Sequence, residues 1–233
     1  MSNIRLFFSE SLSINLKSKL DKTQSHYISK VMRIKVGENF ILFNQSGEYK
    51  AKVENLVKGF VEFSIVKKLR SADASKEIWL AFTPIKLNYL NLMIQKATEL
   101  GVTKFMPIIT ERTIVRKINE KRIRKIIIEA SEQSNRLNLP ELDKLKNLDE
   151  FIKENAQTTV IFGDLNSNNK KINIKGSDPI CILIGPEGDF SVKEREKISK
   201  LNKIIPLNIN QNILRSETAA ISMISIISFI LLS

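Results

Sequence analysis

Ile184-Gly185-Pro186-Glu187-Gly188-Asp189-Phe190-Ser191 decides how this chain folds. It follows the apolar run Pro179 to Ile184 and precedes a helix-like run. A second stretch, Asn212-Ile213-Leu214-Arg215-Ser216-Glu217-Thr218-Ala219-Ala220, stands in the same kind of place. Open α/β sheets set their ligand loops there, outside the carboxyl ends of the strands. Glycine lets backbone approach a ligand closely, and Pro186 stiffens the loop. The segment lacks the Gly-Lys-Ser/Thr of a phosphate-binding loop, and the chain has no Gly-x-Gly-x-x-Gly dinucleotide pattern. On Gly185 to Gly188 alone, a tight strand-to-helix turn without a ligand is the better reading. A second such loop, able to bring backbone donors and apolar side chains beside the first, shifts the balance toward a site.

Working outward, the alternation continues. Strands are predicted at Ile78 to Phe82, Lys104 to Ile109, Thr158 to Phe162, Ile180 to Ile184 and Ile204 to Ile209. Helices are predicted at Leu87 to Leu100, capped by Gly101, at Lys121 to Arg136, and from a Ser191/Glu194 capping box to about Leu201. Strands alternating with helices predict an α/β domain with a mostly parallel sheet. Residues 1–70 differ: short strands flank the turn Asn44 to Gly47, and Phe60 to Val66 alternates at its start. A small β-barrel is predicted there, with residues 71–233 as the α/β domain. Arg70 to Lys76 reads as a linker and Asn166 to Asn173 as an exposed polar loop.

Composition narrows the function. The chain has 233 residues, 42% of them apolar, and a formal charge of +12. The charge suits a polyanion such as nucleic acid. A chain with 27 Lys among 37 basic residues, and rich in Ile and Asn, also fits an A/T-rich genome. Cys181 is the single cysteine and His26 the single histidine, so no metal cluster, disulfide or Ser-His-Asp triad is expected. The N-terminus lacks the apolar core of a signal peptide, and a cytoplasmic location is expected. Ala219 to Leu232 is too short to span a membrane. Broken by Ser222, Ser225 and Ser228, it reads as a buried core helix and a possible dimer face.

Taken together, the two loops are similar to the motif pair of the RsmE-type methyltransferases of small-subunit ribosomal RNA. Other segments in the same order resemble that family: Lys96-Ala97-Thr98-Glu99-Leu100-Gly101-Val102, Glu111-Arg112-Thr113, and Glu129-Ala130-Ser131-Glu132-Gln133-Ser134-Asn135-Arg136. So do His26 to Arg33 and Val36-Gly37-Glu38 near the N-terminus. The resemblance implies a PUA-like RNA-binding barrel followed by a SPOUT α/β domain with a deep trefoil knot. It implies a homodimer, S-adenosyl-L-methionine as cofactor, no metal and no membrane. The implied reaction is methylation of N3 of one uridine in 16S ribosomal RNA of the small subunit, near the decoding centre. Asn135 and Asn210 stand where the family usually has Gly; Asn tolerates left-handed backbone better than most residues.

Site residues follow from the resemblance. The cofactor is expected at Ile184, Gly185, Pro186, Glu187 and Gly188 in one loop. Leu207, Ile209, Asn212, Ile213 and Leu214 would serve in the other, with Phe162 and Gly163 as a third wall. Methylating N3 requires loss of its proton, and charge then develops over N3 and its flanking carbonyls. Arg136, Arg112 and Arg215 are candidates to meet that charge, and Glu132 or Glu217 to accept the proton. Arg5, Arg33, Arg112 and Arg136 are expected at RNA. Two other readings stay open: a knotted methyltransferase acting on another RNA site such as a ribose 2′-hydroxyl, and a noncatalytic RNA-binding assembly protein. A nucleotide-binding dehydrogenase is disfavoured by the missing glycine pattern.

Overall fold

The computed structural model describes residues 4–71, 76–169 and 178–232. The predicted linker and the Asn166–Asn173 loop fall partly outside them. The chain forms two compact units. One comprises Met1–Ala74 with Ser131–Leu139, the other Ser75–Ala130 with Pro140–Ser233.

The first unit contains β1 (Arg5–Phe7), β2 (Lys17–Lys19), the short helix α1 (Lys22–His26), β3 (Asn39–Asn44), β4 (Gly47–Val57) and β5 (Phe60–Arg70). Asp21 caps α1, its side chain accepting from the Gln24 amide at 2.8 Å, and one π-helical turn, Tyr27–Val31, follows. The five strands lie in the order β1-β3-β4-β5-β2, with β1 parallel to β3 and the other pairs antiparallel. Alternate residues point one way in a strand. Tyr49, Ala51 and Val53 of β4 and Val61, Phe63 and Ile65 of β5 are thereby buried in one apolar cluster. Phe63 meets the rings of Phe8 and Phe40 edge-on, at 5.4 and 5.9 Å.

In the second unit the elements are β6 (Ile78–Phe82), α2 (Leu87–Glu99), β7 (Lys104–Ile109), α3 (Glu120–Gln133), β8 (Glu141–Leu142), β9 (Lys146–Asn147), α4 (Leu148–Glu154), β10 (Thr159–Gly163), β11 (Ile180–Ile184), α5 (Val192–Ser199), β12 (Ile204–Leu207) and α6 (Ser216–Leu232). The last residues of α3 are grouped with the first unit. The sheet order is β12-β10-β11-β6-β7-β8, with β9 also on β7, and every pair is parallel. Strands covered on both faces read as unbroken apolar runs, as in the fully buried β11. Ala81, Met106, Ile108, Val160, Phe162, Cys181 and Leu183 share a core with Leu148 and Phe151 of α4 and Ile198 of α5. α6 lies against β11, β6 and α2.

Helix ends follow local chemistry. Gly101, at φ +104°, closes α2 in a conformation that a side chain resists. Ser191 and Glu194 form the expected capping box, and Asn147 with Glu150 forms another on α4. α3 stops at Gln133, short of the predicted Arg136, because Asn135 turns left-handed at φ +61°. In α6 the buried stripe is Ala220, Met223, Ile224 and Ile227. The serine stripe is peripheral, with Ser225 exposed and Ser228 donating to the Leu100 carbonyl at 3.1 Å. The helix therefore packs through apolar residues at helical spacing, and its serines do not form its core face.

Candidate functional site

Three neighbouring parallel strands, β12, β10 and β11, end side by side, and their outgoing loops enclose a cavity of about 710 Å³. Gly163, Asp164 and Leu165 leave β10; Ile184 to Asp189 leave β11; most of Leu207 to Ser216 leaves β12. Lys86 and Tyr89 at the start of α2 and Ala219 and Met223 of α6 complete the wall.

Each loop is held by specific contacts. At Gly185 a Cβ would stand 2.5 Å from a ring carbon of Phe190, a ring that is buried and packed edge-on against Phe162 at 5.4 Å. The Gly185 carbonyl accepts from Ser216 Oγ at 3.1 Å, joining the two loops. Arg112 donates to the Gly188 carbonyl at 2.8 Å. Arg195, one turn into α5, pairs with Asp164 at 2.9 Å and with Asp189, and its guanidinium lies 5.4 Å from the Phe162 ring centre. That arginine thus ties the β10 loop to the β11 loop. Glu194 is buried and accepts from the Ser191 amide at 2.9 Å and the Glu111 amide at 2.8 Å, fixing the segment that carries Arg112.

The β12 loop is built on asparagine side chains. Asn208 Oδ1 accepts from the Asn210 amide at 3.1 Å, and Asn210 Oδ1 from the Asn212 amide at 2.8 Å. Asn208 also donates through its side chain to the Leu165 carbonyl at 2.9 Å. Such side-chain turns substitute for backbone turns. Asn210 therefore keeps the loop through its amide oxygen and needs no positive φ, whereas Asn135 does adopt the left-handed form.

Arg215 lines the cavity with its guanidinium 5.1 Å from the Tyr89 ring centre. A hydrogen bond with Tyr89, with the negative charge of Glu217 nearby, holds Arg215 above the usual arginine range. Glu217 is buried in the first turn of α6, where an anion complements the helix dipole, and is not part of the wall.

In the first unit, Arg136 is half-buried and burial pushes its guanidinium down to about 10, still a cation at neutral pH. Glu132 Oε1 accepts from the Phe7 amide at 2.9 Å. Arg5 is buried. Its Nε donates to Glu48 at 2.6 Å, its two terminal nitrogens donate to the carbonyls of Ser131 and Arg136, and the Phe43 ring lies 3.6 Å away.

A model described as an RNA methyltransferase domain matches residues 72–228, and an RNA methyltransferase PUA domain matches residues 20–66. Ribosomal RNA small subunit methyltransferase E of Rickettsia conorii is 32% identical, over 95% of this chain and 93% of its own length. The chain belongs to the ribosomal RNA small subunit methyltransferase E family. The family member from Aquifex aeolicus is 30% identical over 96% of this chain and 99% of its own. The crystal structure of the family member from Neisseria gonorrhoeae, bound to S-adenosyl methionine, superposes with a TM-score of 0.90 at 26% identity, covering 98% of both chains. A methyltransferase of Legionella pneumophila, in complex with the same cofactor, gives 0.87 at 29% identity, covering 99% of this chain and 98% of its own. The second unit accordingly carries the RNA methyltransferase domain, with an α/β fold on a parallel sheet, and the first the PUA-like domain.

Of the family's expected cofactor residues, Gly163, Ile184, Gly185, Pro186, Glu187 and Gly188 line the cavity. So do Leu207, Ile209, Asn212, Ile213 and Leu214. Phe162 stands behind the wall as support for Phe190 and Arg195. Arg215 lies in the wall, whereas Arg136 and Glu132 belong to the first unit. Arg33 is exposed just past the π-helical turn, at φ +55°. Arg112 is exposed and engaged by the glycine loop. Arg5, also expected at RNA, is buried against Glu48, backbone carbonyls and a ring, unlike the exposed Arg33 and Arg112. Sequence reasoning missed Lys86, Tyr89, Asp164 and Arg195. Lys86 and Tyr89 follow the carboxyl end of a central strand, a placement that could have found them; Arg195 sits four residues past the Ser191 cap, within reach of the loop before it. Among the described residues no cluster of His, Cys, Asp and Glu could hold a metal, and no helix is long and apolar enough to cross a membrane.

Proposed function

We propose that this chain transfers the methyl group of S-adenosyl-L-methionine to N3 of one uridine in 16S ribosomal RNA, on the small subunit near the decoding centre. The observation that carries this reading is the cavity closed by the β11 and β12 loops, in a chain that aligns with a family member over 95% of its length. The residues fit the cofactor. The volume suits a small molecule, Ile184, Leu207, Leu214 and Met223 offer apolar wall, and the Gly185 and Gly188 region lets backbone come close. When bound, S-adenosylmethionine supplies an activated methyl group.

The chain's own residues have the remaining work. The loops align donor and acceptor, which is most of what such a transfer requires. Arg215 in the wall and Arg136 in the first unit are the cations to face the charge that develops as N3 loses its proton. Glu132 or Glu217 would accept that proton, directly or through water. Arg33 and Arg112 are the RNA contacts. The chain works as a homodimer in the cytoplasm. We assign the dimer contact to the outer face of α6, which carries Ile226 and Phe229, 38% and 73% exposed.

Small subunits lacking the modification, incubated with this protein and methyl-labelled S-adenosylmethionine, test the reading by mass spectrometry of the digested RNA. Labelled 3-methyluridine at one site is expected. A labelled 2′-O-methyl nucleoside would overturn the target, and absence of transfer would overturn the enzyme.

A further inference from the structure

The C-terminal end of α3 carries the segment Ser131 to Arg136, and α3 has no basic residue in its own last turn. A helix end presents carbonyls without intrahelical partners and a partial negative charge. Here the partners come from far along the chain. Arg5 donates to the carbonyl of Ser131 at 2.7 Å, to that of Glu132 at 3.4 Å, and to that of Arg136. Arg70 donates to the carbonyl of Asn135 at 2.6 Å. The Phe7 amide holds the Glu132 carboxylate at 2.9 Å. Glu48 joins the two arginines, at 2.6 Å from the buried Arg5 and 2.9 Å from the half-exposed Arg70, and offsets one of their two positive charges.

We infer that Arg5, with Arg70 and Glu48, is a positioning residue for methyl transfer: it clamps the Ser131–Arg136 turn and so fixes where Arg136 and Glu132 stand. The inference rests on the proposed reaction and on Arg136 serving it. It gives the barrel a second task besides meeting RNA, that of holding the turn which presents a reactive-site cation. One guanidinium takes three carbonyls, a ring face and a carboxylate. A lysine has the charge but not the planar fork that makes these contacts simultaneously. The left-handed Asn135 sits in the middle of this turn, so backbone shape and side-chain clamp specify the same geometry.

Arg5→Lys in the full chain tests it, with Arg70→Lys alongside. Three quantities are measured: kcat at saturating RNA and cofactor, the Kd for S-adenosylmethionine by calorimetry, and amide hydrogen exchange across residues 131–136. For Arg5→Lys the expected result is a kcat lower by about 10- to 100-fold, the scale of a misplaced group, with cofactor Kd unchanged and faster exchange confined to the turn. Arg70→Lys, changing the half-exposed partner, should show the same pattern more weakly. Wild-type kcat together with wild-type exchange overturns the inference. So does uniformly faster exchange with a weakened cofactor Kd, the mark of a merely structural residue. A normal kcat with a raised KM for RNA would return Arg5 to phosphate contact and equally overturn it. If the wild-type protein transfers no methyl group, the proposed reaction fails by itself; exchange in the turn then decides whether Arg5 clamps it, and unchanged exchange sinks the clamp.

Discussion

Gly185 has no freedom to become anything larger. Its missing Cβ leaves the space taken by the Phe190 ring, and that ring is backed by Phe162 in the core. Gly185→Ala must push a packed aromatic, so a destabilisation of about 1–3 kcal/mol is expected, with weaker cofactor binding, read by thermal unfolding and calorimetry. A variant with unchanged Tm and Kd would show that the ring moves freely. Cys181 lies at the opposite extreme of reactivity. Burial pushes its thiol up to about 12, against a weak opposing hydrogen bond from the Ala81 backbone. The thiolate is the reactive species, so Cys181 should resist iodoacetamide at neutral pH in native protein and react once urea unfolds it. Glu48 makes a pH prediction. Burial alone would raise its carboxyl, but hydrogen bonds from Arg70 and Arg5 outweigh burial and hold it below its ordinary value of 4.5. A folded-state value below the unfolded one contributes stability above about pH 4.5 that is lost as pH falls through the folded value. The urea midpoint of the wild type should fall across that acid range more steeply than that of Glu48→Gln; parallel curves would refute the assignment.

At the scale of elements, what could be read in the sequence depended on signal length. The four central parallel strands, β10, β11, β6 and β7, are legible because burial on both faces writes them as apolar runs of five or six residues; β12, at the sheet edge, is legible from Ile204 and Ile205 alone. The ligand loops were legible because each joins such a run to a helix start. α4 was not, since seven residues give too few turns for a periodicity, although its Asn147/Glu150 capping box is a usable cue. β1, β2, β8 and β9, two or three residues each, gain their identity only from the strand beside them. α3 ends three residues before its apolar spacing predicts, because that spacing carries no information about where Asn135 turns left-handed. The function of single arginines was least legible. Arg5 and Arg33 look alike in sequence, and only the fold shows one buried among carbonyls and the other exposed. Arg195 was missed for the reverse reason: its partners, Asp164 and Asp189, lie on two different loops that only the sheet order brings together.

For the whole molecule, the homodimer proposed above is tested at the outer face of α6, where Ile226 and Phe229 are exposed. Phe229→Glu places a charge on this face; if the proposed dimer forms through it, the variant should sediment as a monomer where the wild type sediments as a dimer, without loss of fold by circular dichroism. A variant that still sediments as a dimer would move the interface elsewhere. The first unit has a further property. It is assembled from two stretches separated by 56 residues of the other unit, Ser75–Ala130. A ribosome making this chain therefore releases the barrel strands long before the turn that Arg5 and Arg70 are built to hold. Until residue 131 has emerged, Arg5 has Glu48 but none of its carbonyl partners, and the last of them arrives with residue 136. The barrel is expected to mature late in synthesis, and a fragment ending at residue 74 should be protease-sensitive around Arg5, becoming resistant only in chains that extend past residue 139.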